Sequence, residues 1–304
     1  MSFNLITILG PTAVGKTALA AKLAYRFDGE IISADSRQVY IGLDLGSGKD
    51  LTDYTVKGRK IPYHLIDIIE PSEEFNLYLF HKLFYESFLS ITSKGKTPFL
   101  VGGTGLYLDS ILRSYKLARA DLEGDRYYEL NQLNISELQD LLKSVNPDLH
   151  NTTDLLIKER IIKAIIISEQ RYSEITVNKA KIVSLNLGIK LPREKIKSNI
   201  TSRLKKRLDE GMIDEVEGLL KGGVSYNKLI NLGLEYRYIT MHLNGELNYN
   251  DMFQKLSSAI HNFAKRQMTW FRKMEREGVK IHWLDGANET GAENIIEKKF
   301  FGSS

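Results

Sequence analysis

The stretch Gly10-Pro11-Thr12-Ala13-Val14-Gly15-Lys16-Thr17 decides the fold of this chain. It matches the pattern G-x-x-x-x-G-K-[ST], in which glycines let backbone N–H groups surround phosphate oxygens. A short apolar run, Leu5–Leu9, precedes it, and the helix-forming stretch Thr17–Phe27 follows. A strand therefore leads into the loop, and a helix aims its positive N-terminus at the same oxygens. Lys16 adds a point charge, and the Thr17 hydroxyl is a ligand suited to Mg²⁺. The stretch predicts a phosphate site.

The segments on either side of this loop predict an α/β fold. Glu30–Ser33 and Pro98–Val101 are further short apolar runs, and Phe75–Thr92 between them carries leucine and aromatic side chains at helical spacing. Alternating strands and helices are typical of a parallel sheet with helices on its faces. We therefore predict an α/β protein with a P-loop NTPase-like core, in which helices flank a parallel sheet.

Beyond Leu112 the chain becomes charged and helical, which predicts an insertion into the core. Periodicity predicts helices at 135–142, 157–167, 195–220 and 249–277, and strands at 185–187 and 281–284. The predicted organisation is a core of 1–112 and 183–290, a helical insertion domain of 113–182, and a polar, loosely held tail of 291–304.

The composition excludes several kinds of chemistry. The 304 residues include no cysteine, which excludes disulfides, thiolate zinc sites and a cysteine nucleophile. The six histidines are scattered without the spacing of metal ligands. No apolar run approaches the roughly 18 residues that span a membrane, and the N-terminus lacks the charged start of a signal peptide. We expect a cytoplasmic protein without a membrane segment.

Two further strand ends carry candidate site residues. Asp35 lies at the carboxyl end of a strand, where α/β sheets place their sites. A carboxylate beside a P-loop commonly handles Mg²⁺ or a substrate proton, although aspartates also cap helices. Val101–Tyr107 ends a strand in small residues, which indicates either close approach of a ligand or a tight turn before a helix.

A basic helix is predicted near residue 270, with the aromatic residues Trp270 and Phe271 between its basic residues. Such a run indicates contact with an RNA backbone or simply a solvated helix face. The candidates for such contact are Lys265, Arg266, Arg272, Lys273 and Arg276 in this helix, Lys158, Arg160 and Lys163 in the insertion, and Arg203, Lys205, Lys206 and Arg207 beyond it.

Several motifs, in one order, resemble those of the tRNA dimethylallyltransferase family, bacterial type. The resemblance extends from about Leu5 to Asp285. The motifs are GPTAVGKT at 10–17, ISADSRQVY at 32–40, G-x-D-x-G at 42–46, HLID at 64–67, VGGTGLY at 101–107, LGLEYR at 232–237, AKRQMTWFR at 264–272 and WL at 283–284.

The resemblance implies an enzyme whose helical insertion contacts the anticodon stem-loop of tRNA. Dimethylallyl diphosphate would donate its five-carbon group to N6 of the adenine 3′ of the anticodon (position 37), in tRNAs that read codons beginning with U. Diphosphate would leave, and ATP would not be consumed although it could fit the loop. The implied partners are tRNA and dimethylallyl diphosphate, the implied cofactor is Mg²⁺, and we expect a monomer.

The resemblance also implies roles for individual residues. Asp35 would be the general base, and Lys16, Thr17 and Arg237 would stabilise the departing diphosphate, with Mg²⁺ on Thr17. Gly10–Thr17 would line the donor site. The implied tRNA-binding residues are Asp35, Ser36, Arg37, Gln38, Thr104, Arg126, Glu159, Arg160, Ile161, Ile162, Lys163, Gln267, Met268, Thr269, Trp270, Phe271 and Arg272.

These roles agree with elementary chemistry. An allylic diphosphate ionises readily once the charge on its leaving group is neutralised, so the main catalytic demand is electrostatic. Adenine N6 is a poor nucleophile and needs an acceptor that orients it and removes its proton. One aspartate within reach meets that need.

Four residues depart from the family pattern. Glu235 stands where the family has glycine and could occupy the guanidinium of Arg237. Lys163 replaces an arginine and loses its bidentate fork. Asn199 and His261 replace basic residues. We expect these departures to alter tRNA binding rather than the chemistry.

Other classes of protein use the same loop. A small-molecule kinase would bind ATP there, but it gives no reason for the signature Ala264–Arg272. An adenylate prenyltransferase shares the loop and Asp35, whereas the helical insertion and the basic helix favour a polymeric acceptor. A GTPase-like switch or an RNA-binding module is less favoured, because no Asn-Lys-x-Asp motif is present.

Overall fold

The structure, a computed structural model, describes residues 2–115, 117, 124–145, 158–169 and 180–302. Contacts divide the chain into two units, Met1–Tyr115 with Ala180–Ser304, and Lys116–Lys179. We call them the core unit and the inserted unit. The insertion that the sequence predicts at 113–182 has nearly the same extent as the inserted unit.

The core unit contains a parallel sheet. Its strands in chain order are β1 (Leu5–Leu9), β2 (Gly29–Ala34), β3 (Thr55–Val56), β4 (Arg59–Lys60), β5 (Tyr63–His64), β6 (Thr97–Gly102), β7 (Ser184–Lys190) and β8 (Ile281–Asp285). Six of them form the sheet in the order β5-β2-β6-β1-β7-β8, and β3 pairs antiparallel with β4. Gly102 is in register with both Leu9 and Ala34, so β1, β2 and β6 end at the same edge.

Helices connect these strands and cover both faces of the sheet. In the core unit they are α1 (Lys16–Arg26), α2 (Leu77–Ser93), α3 (Gly105–Leu112), α7 (Arg193–Asp209), α8 (Met212–Lys221), α9 (Tyr226–Leu232), α10 (Leu234–Leu243), α11 (Tyr249–Arg276) and α12 (Glu289–Ile296); in the inserted unit they are α4 (Asp125–Gln132), α5 (Ile135–Val145) and α6 (Lys158–Glu169). The prediction of one helix over 195–220 is wrong, because Gly211 at φ +98° ends α7 and begins α8.

Side-chain alternation along β1 divides the apolar core between the two faces. Ile6 and Ile8 pack with the buried side of α1, whereas Leu5 and Leu9 pack with the aromatic side of α2. Every residue of β1 is buried, which is typical of a central parallel strand covered on both faces. The P-loop thus begins at the end of a fully buried central strand.

The prediction of a loosely held tail is wrong for the end of the core unit. Helix α12 is capped by Asn288, whose side chain accepts a hydrogen bond from the N–H of Gly291. Ala292 and Ile296 are fully buried against the α1 face of the sheet. The polar composition of this segment concealed an amphipathic helix, since only two apolar positions need to face the core.

The inserted unit has a small core of its own. Leu130, Leu138 and Leu142 from α4 and α5 pack against the isoleucines of α6. No helix in the part of the chain that the structure describes has the length and hydropathy of a membrane-spanning segment.

Candidate active site

A cavity of about 1040 Å³ lies at the carboxyl ends of β1, β2 and β6. Its walls come from the P-loop, from the segments that follow β2 and β6, and from one face each of α7, α10 and α11. The predicted site residues that line it are Thr12, Ala13, Val14, Gly15, Lys16, Thr17, Asp35, Ser36, Arg37, Gln38, Thr104, Arg237, Gln267 and Trp270. Residues that are far apart in the sequence are therefore brought together here.

The P-loop backbone turns at Gly15, directly before the first turn of α1. Gly15 caps α1 in the left-handed conformation at φ +84°, and the first N–H groups of a helix have no acceptor within it. Gly10 lies so close to β7 that a Cβ would come within 2.7 Å of the Ile189 carbonyl oxygen. Asn199 donates from Nδ2 to the carbonyl of Ala13 at 3.0 Å, which supports the loop from α7.

Lys16 is a half-buried cation at the start of α1. Its Nζ donates to the carbonyl of Pro11 at 2.7 Å. Burial and the nearby Arg203 lower the pKa of Lys16 to about 7, and Asp35 opposes this shift. An anion placed beside this ammonium group would relieve both causes.

Arg203 on α7 is a candidate site residue for which the sequence left open RNA contact or a solvated helix face. The structure places it at the P-loop, where its Nη2 donates to Oγ1 of Thr12. Burial and the neighbouring Arg207 lower the pKa of Arg203 to about 10. Asn199, Arg203 and Arg207 are spaced four residues apart and share one helix face, and this spacing is the signal that could have identified the pair of arginines from the sequence.

Asp35 lies in the cavity wall directly after β2. Its Oδ1 accepts from the N–H of Arg37 at 2.9 Å, a local turn contact, and no helix begins there. The alternative of a helix-capping aspartate is therefore wrong. In the described ranges no hydrogen bond engages Oδ2. One carboxylate oxygen thus remains available to a ligand.

Two polar side chains beside Asp35 have local partners. Gln38 accepts at Oε1 from Ser33 Oγ at 3.0 Å and donates from Nε2 to the Gly48 carbonyl at 3.3 Å. Thr104 accepts at Oγ1 from the N–H of Ser36 at 3.4 Å. These contacts hold the segment after β2 against the start of α3.

Arg237 and Glu235 do not interact as the sequence suggested. Arg237 is exposed, and its Nε donates to the carbonyl of Ile230 at 2.9 Å. Glu235 interacts electrostatically with Arg207 and Arg203, and burial raises its pKa. The expectation that Glu235 occupies the guanidinium of Arg237 is wrong, because side chains two residues apart on a helix do not face each other.

The signature of α11 divides into buried and exposed positions. Gln267 is buried and links the P-loop to β6, since its Oε1 accepts from the N–H of Thr12 at 2.9 Å and its Nε2 donates to the Gly103 carbonyl at 2.8 Å. Phe271 is fully buried in the core. The prediction that the Phe271 side chain contacts tRNA is wrong, because the core encloses it completely. Gln267 lines the cavity, and its predicted contact with tRNA stays a prediction.

The remaining positions of the signature differ in exposure. Met268 packs partly buried against the core, whereas Thr269 and Arg272 are exposed. Trp270 is half-buried, its ring lies against Gly105, and its Nε1 has no hydrogen-bond partner in the part of the chain that the structure describes.

The predicted tRNA contacts of the inserted unit are of two kinds. Ile161 and Ile162 are fully buried in the core of that unit, so direct contact of their side chains with RNA is excluded. Arg126 donates to Glu169 and Glu129, and Lys163 lies 3.2 Å from Glu159. The predictions for Arg126, Glu159, Arg160 and Lys163 stay predictions.

A magnesium ion is the implied cofactor, and the cavity suits one that arrives with its ligand. Within the described ranges, no three His, Asp or Glu side chains gather as a metal cage. Mg²⁺ commonly uses one or two protein oxygens and completes its shell with phosphate and water. The Thr17 hydroxyl, at the open start of α1, provides a donor of that kind.

The fold and the cavity define an α/β protein with a P-loop-like core, in which cationic side chains gather at the start of α1. The model of the IPP transferase family matches residues 38–274, and that of the isopentenyl transferase family matches residues 3–65. The chain belongs to the IPP transferase family.

Similar proteins match over nearly their whole length. The chain is 51% identical to tRNA dimethylallyltransferase 1 of Geotalea uraniireducens, over 94% of each chain. It is 49% identical to tRNA dimethylallyltransferase 2 of Phocaeicola vulgatus, over 97% of each chain. Among solved structures, tRNA isopentenylpyrophosphate transferase of Bacillus halodurans is 29% identical, with a TM-score of 0.71, over 98% of this chain and 97% of that one. A eukaryotic dimethylallyltransferase acting on tRNA is 21% identical, with a TM-score of 0.79, over 99% of this chain and 80% of that one, and shows the shared fold.

Proposed function

We propose that this protein transfers a dimethylallyl group from dimethylallyl diphosphate to N6 of the adenine at position 37, next to the anticodon, in tRNAs that read codons beginning with U. The observation that carries the proposal is a cavity that combines a P-loop, the two half-buried cations Lys16 and Arg203, and Asp35, which has a carboxylate oxygen without a hydrogen bond in the described ranges. The names of the relatives supply the acceptor class.

The donor half of the site is electrostatic. The open N–H groups of the P-loop, Lys16 and Arg203 would surround the diphosphate, and Thr17 would hold a Mg²⁺ ion that adds positive charge to the leaving group. As the bond between the allylic carbon and its oxygen breaks, negative charge grows on the diphosphate. That charge would stabilise the protonated forms of Lys16 and Arg203, whose pKa values are lowered by burial and by neighbouring arginines.

The acceptor half depends on Asp35. The adenine leaves its stack to reach the cavity, and N6 forms a bond to the allylic carbon while Asp35 takes its proton. The products are the N6-dimethylallyl adenine, free diphosphate and a protonated Asp35. The exposed basic side chains Arg266, Arg272 and Lys273 on α11 are suited to the RNA backbone.

The decisive experiment offers the protein labelled dimethylallyl diphosphate, in the presence of ATP, with four acceptors: a tRNA with A37, the same tRNA with G37, its anticodon stem-loop, and AMP. We expect label in unmodified tRNA that carries A37 and none in the same tRNA with G37, with mass analysis locating the group on the adenosine. Faster labelling of AMP than of the anticodon stem-loop would instead identify an adenylate prenyltransferase. ATP turnover without label in RNA would identify a kinase.

A further inference from the structure

The loop at 42–48 forms one wall of the cavity through Gly46 and Gly48, and it contains the G-x-D-x-G motif. The reaction proposed above gives this motif no task. Its backbone N–H groups at positions 44, 45 and 46 all donate to one carboxylate, that of Glu215 on α8, at 3.0, 2.6 and 3.0 Å. Consecutive N–H groups of this kind form an anion-binding nest, and here the anion is a side chain of the same molecule.

A buried tyrosine completes the contacts of Glu215. Tyr236 Oη donates to Oε1 of Glu215 at 3.0 Å. The tyrosine ring lies against Gly46, where a Cβ would come within 2.6 Å of it. Burial and the nearby Glu215 raise the pKa of Tyr236 well above its ordinary value, so the phenol keeps the proton that it donates. Glu215 thus joins α8, α10 and the loop.

The loop is fixed on its other side by Lys49, whose side chain is fully buried. Its Nζ donates to the Tyr40 carbonyl at 2.7 Å and to Oδ1 of Asp44 at 2.8 Å, and it also contacts Asp67 of the HLID motif. Asp44 of the G-x-D-x-G motif and Asp67 of the HLID motif therefore both help to fix this loop through Lys49.

The position of the loop determines where two side chains that line the cavity lie, the Gln38 amide and the Arg207 guanidinium. The Gly48 carbonyl accepts from Nε2 of Gln38, whose Oε1 is held by Ser33. Gly48 also lies against the guanidinium of Arg207 and leaves no room for a Cβ. A displaced loop would release the Gln38 amide and move Arg207.

We infer that Glu215 is a positioning residue for the acceptor side of the site, acting through the backbone of 44–48 on the Gln38 amide. It is outside the set of residues that line the cavity, so its influence on a ligand passes through that backbone. The inference rests on the proposed function for the identity of the acceptor.

The first test substitutes Glu215→Gln, which puts an NH₂ group where a carboxylate oxygen accepts two hydrogen bonds. Hydrogen bonds to charged groups are strong, so we expect KM for the tRNA to rise about tenfold or more, with KM for dimethylallyl diphosphate within about threefold.

The matched control is Tyr236→Phe, which removes one of the four donors and keeps the packing, and should change KM for the tRNA less than about threefold. An equal rise of both KM values for Glu215→Gln would overturn the inference. If Glu215→Gln fails to fold, Glu215→Asp, which withdraws the charge by one methylene, takes its place with the same expectation.

The second test is a double-mutant cycle with Gln38→Ala, measured as affinity for an unmodified anticodon stem-loop. If Glu215 acts through Gln38, the tenfold loss should shrink to about twofold in the Gln38→Ala background, because the two changes then share one consequence. Losses that multiply would overturn the inference. This readout needs no turnover, so wild-type protein that binds the stem-loop but transfers no label would contradict the proposed function alone.

Discussion

The two edges of the parallel sheet hold charged side chains in opposite ways. At the amino edge of β2, the buried carboxylate of Glu30 has partners, since His64 Nε2 lies at 2.8 Å and Lys94 Nζ at 3.3 Å. At the carboxyl edge, Lys16 and Arg203 are cations whose pKa values are lowered by burial and by arginine neighbours. At the amino edge, the charged groups are paired within the fold. At the carboxyl edge, burial and like charge destabilise the cations, and an anionic ligand would stabilise them.

This contrast shows which edge serves folding and which serves binding. Groups whose pKa is perturbed by burial and by like charge in a cavity are typical of functional sites. We therefore expect substitutions at the carboxyl edge to reduce activity more than stability, and substitutions at the amino edge to do the reverse.

The largest effect is expected for Asp35→Ala at the carboxyl edge. Loss of the proton acceptor should lower kcat by about 10³–10⁴-fold, while affinity for tRNA stays within a few-fold. Single-turnover labelling and a binding titration would measure the two quantities. The control is Asp53→Asn, which changes another carboxyl of the same cavity and should stay within about tenfold. A near-normal rate for Asp35→Ala would contradict the general-base role.

Arg203→Ala is expected to have the next largest effect. Removing one preorganised charge from the leaving group should lower kcat/KM for the donor by about 10²–10³-fold. The matched comparison is Arg237→Ala, because that exposed arginine is bound to the Ile230 carbonyl and should matter less than about tenfold. The reverse ranking would restore Arg237 as the main diphosphate contact and place Arg203 in a supporting role.

The elements next to the P-loop follow from local patterns in the sequence. The strand before the P-loop, the helix after it and the aromatic face of α2 are each specified by neighbouring residues, and all three form as predicted. The break at Gly211 and the docking of α12 depend on tertiary contacts. Ala292 and Ile296 offer too few apolar positions to stand out in a polar segment, although both are fully buried.

The site was predictable where a motif carries its own chemistry. Lys16, Thr17 and Asp35 lie on loops that follow strands, and the sheet brings such loops to one edge. The direction of a helical side chain could not be predicted in the same way. Phe271, Ile161 and Ile162 belong to motifs or basic segments, but their side chains pack into apolar cores and are fully buried.

The pH dependence of kcat/KM for the donor should reveal the lowered pKa of Lys16 at the carboxyl edge. Lys16 has a pKa of about 7 in the free protein, so it is charged below that pH and loses its proton above it. Because the diphosphate binds the charged form, kcat/KM for dimethylallyl diphosphate should be level in acid and fall about tenfold per pH unit above 7. The variant Lys16→Arg keeps its charge, and its profile should lack this limb. A wild-type profile that rises through this range would contradict the assignment.

The smallest effect is expected for Glu30→Gln at the amino edge, and it should appear in stability alone. The neutral amide leaves His64 and Lys94 without their buried counter-ion, so the free energy of unfolding should fall by about 1–2 kcal/mol.

Burial raises the pKa of Glu30, but the hydrogen bonds from His64 and Lys94 outweigh it and lower the pKa below its ordinary 4.5. A lowered native pKa means that the carboxylate stabilises the fold above pH 4.5 and loses this contribution as the pH falls through the native value. Thermal unfolding should therefore separate wild type from Glu30→Gln by a few degrees near neutral pH and less in acid.

The exposed pair of Glu86 with Lys82, 3.9 Å apart, supplies the control, since Glu86→Gln should change stability by less than about 0.5 kcal/mol at any pH. Loss of transfer activity in a folded Glu30→Gln protein would contradict the division of labour between the two edges.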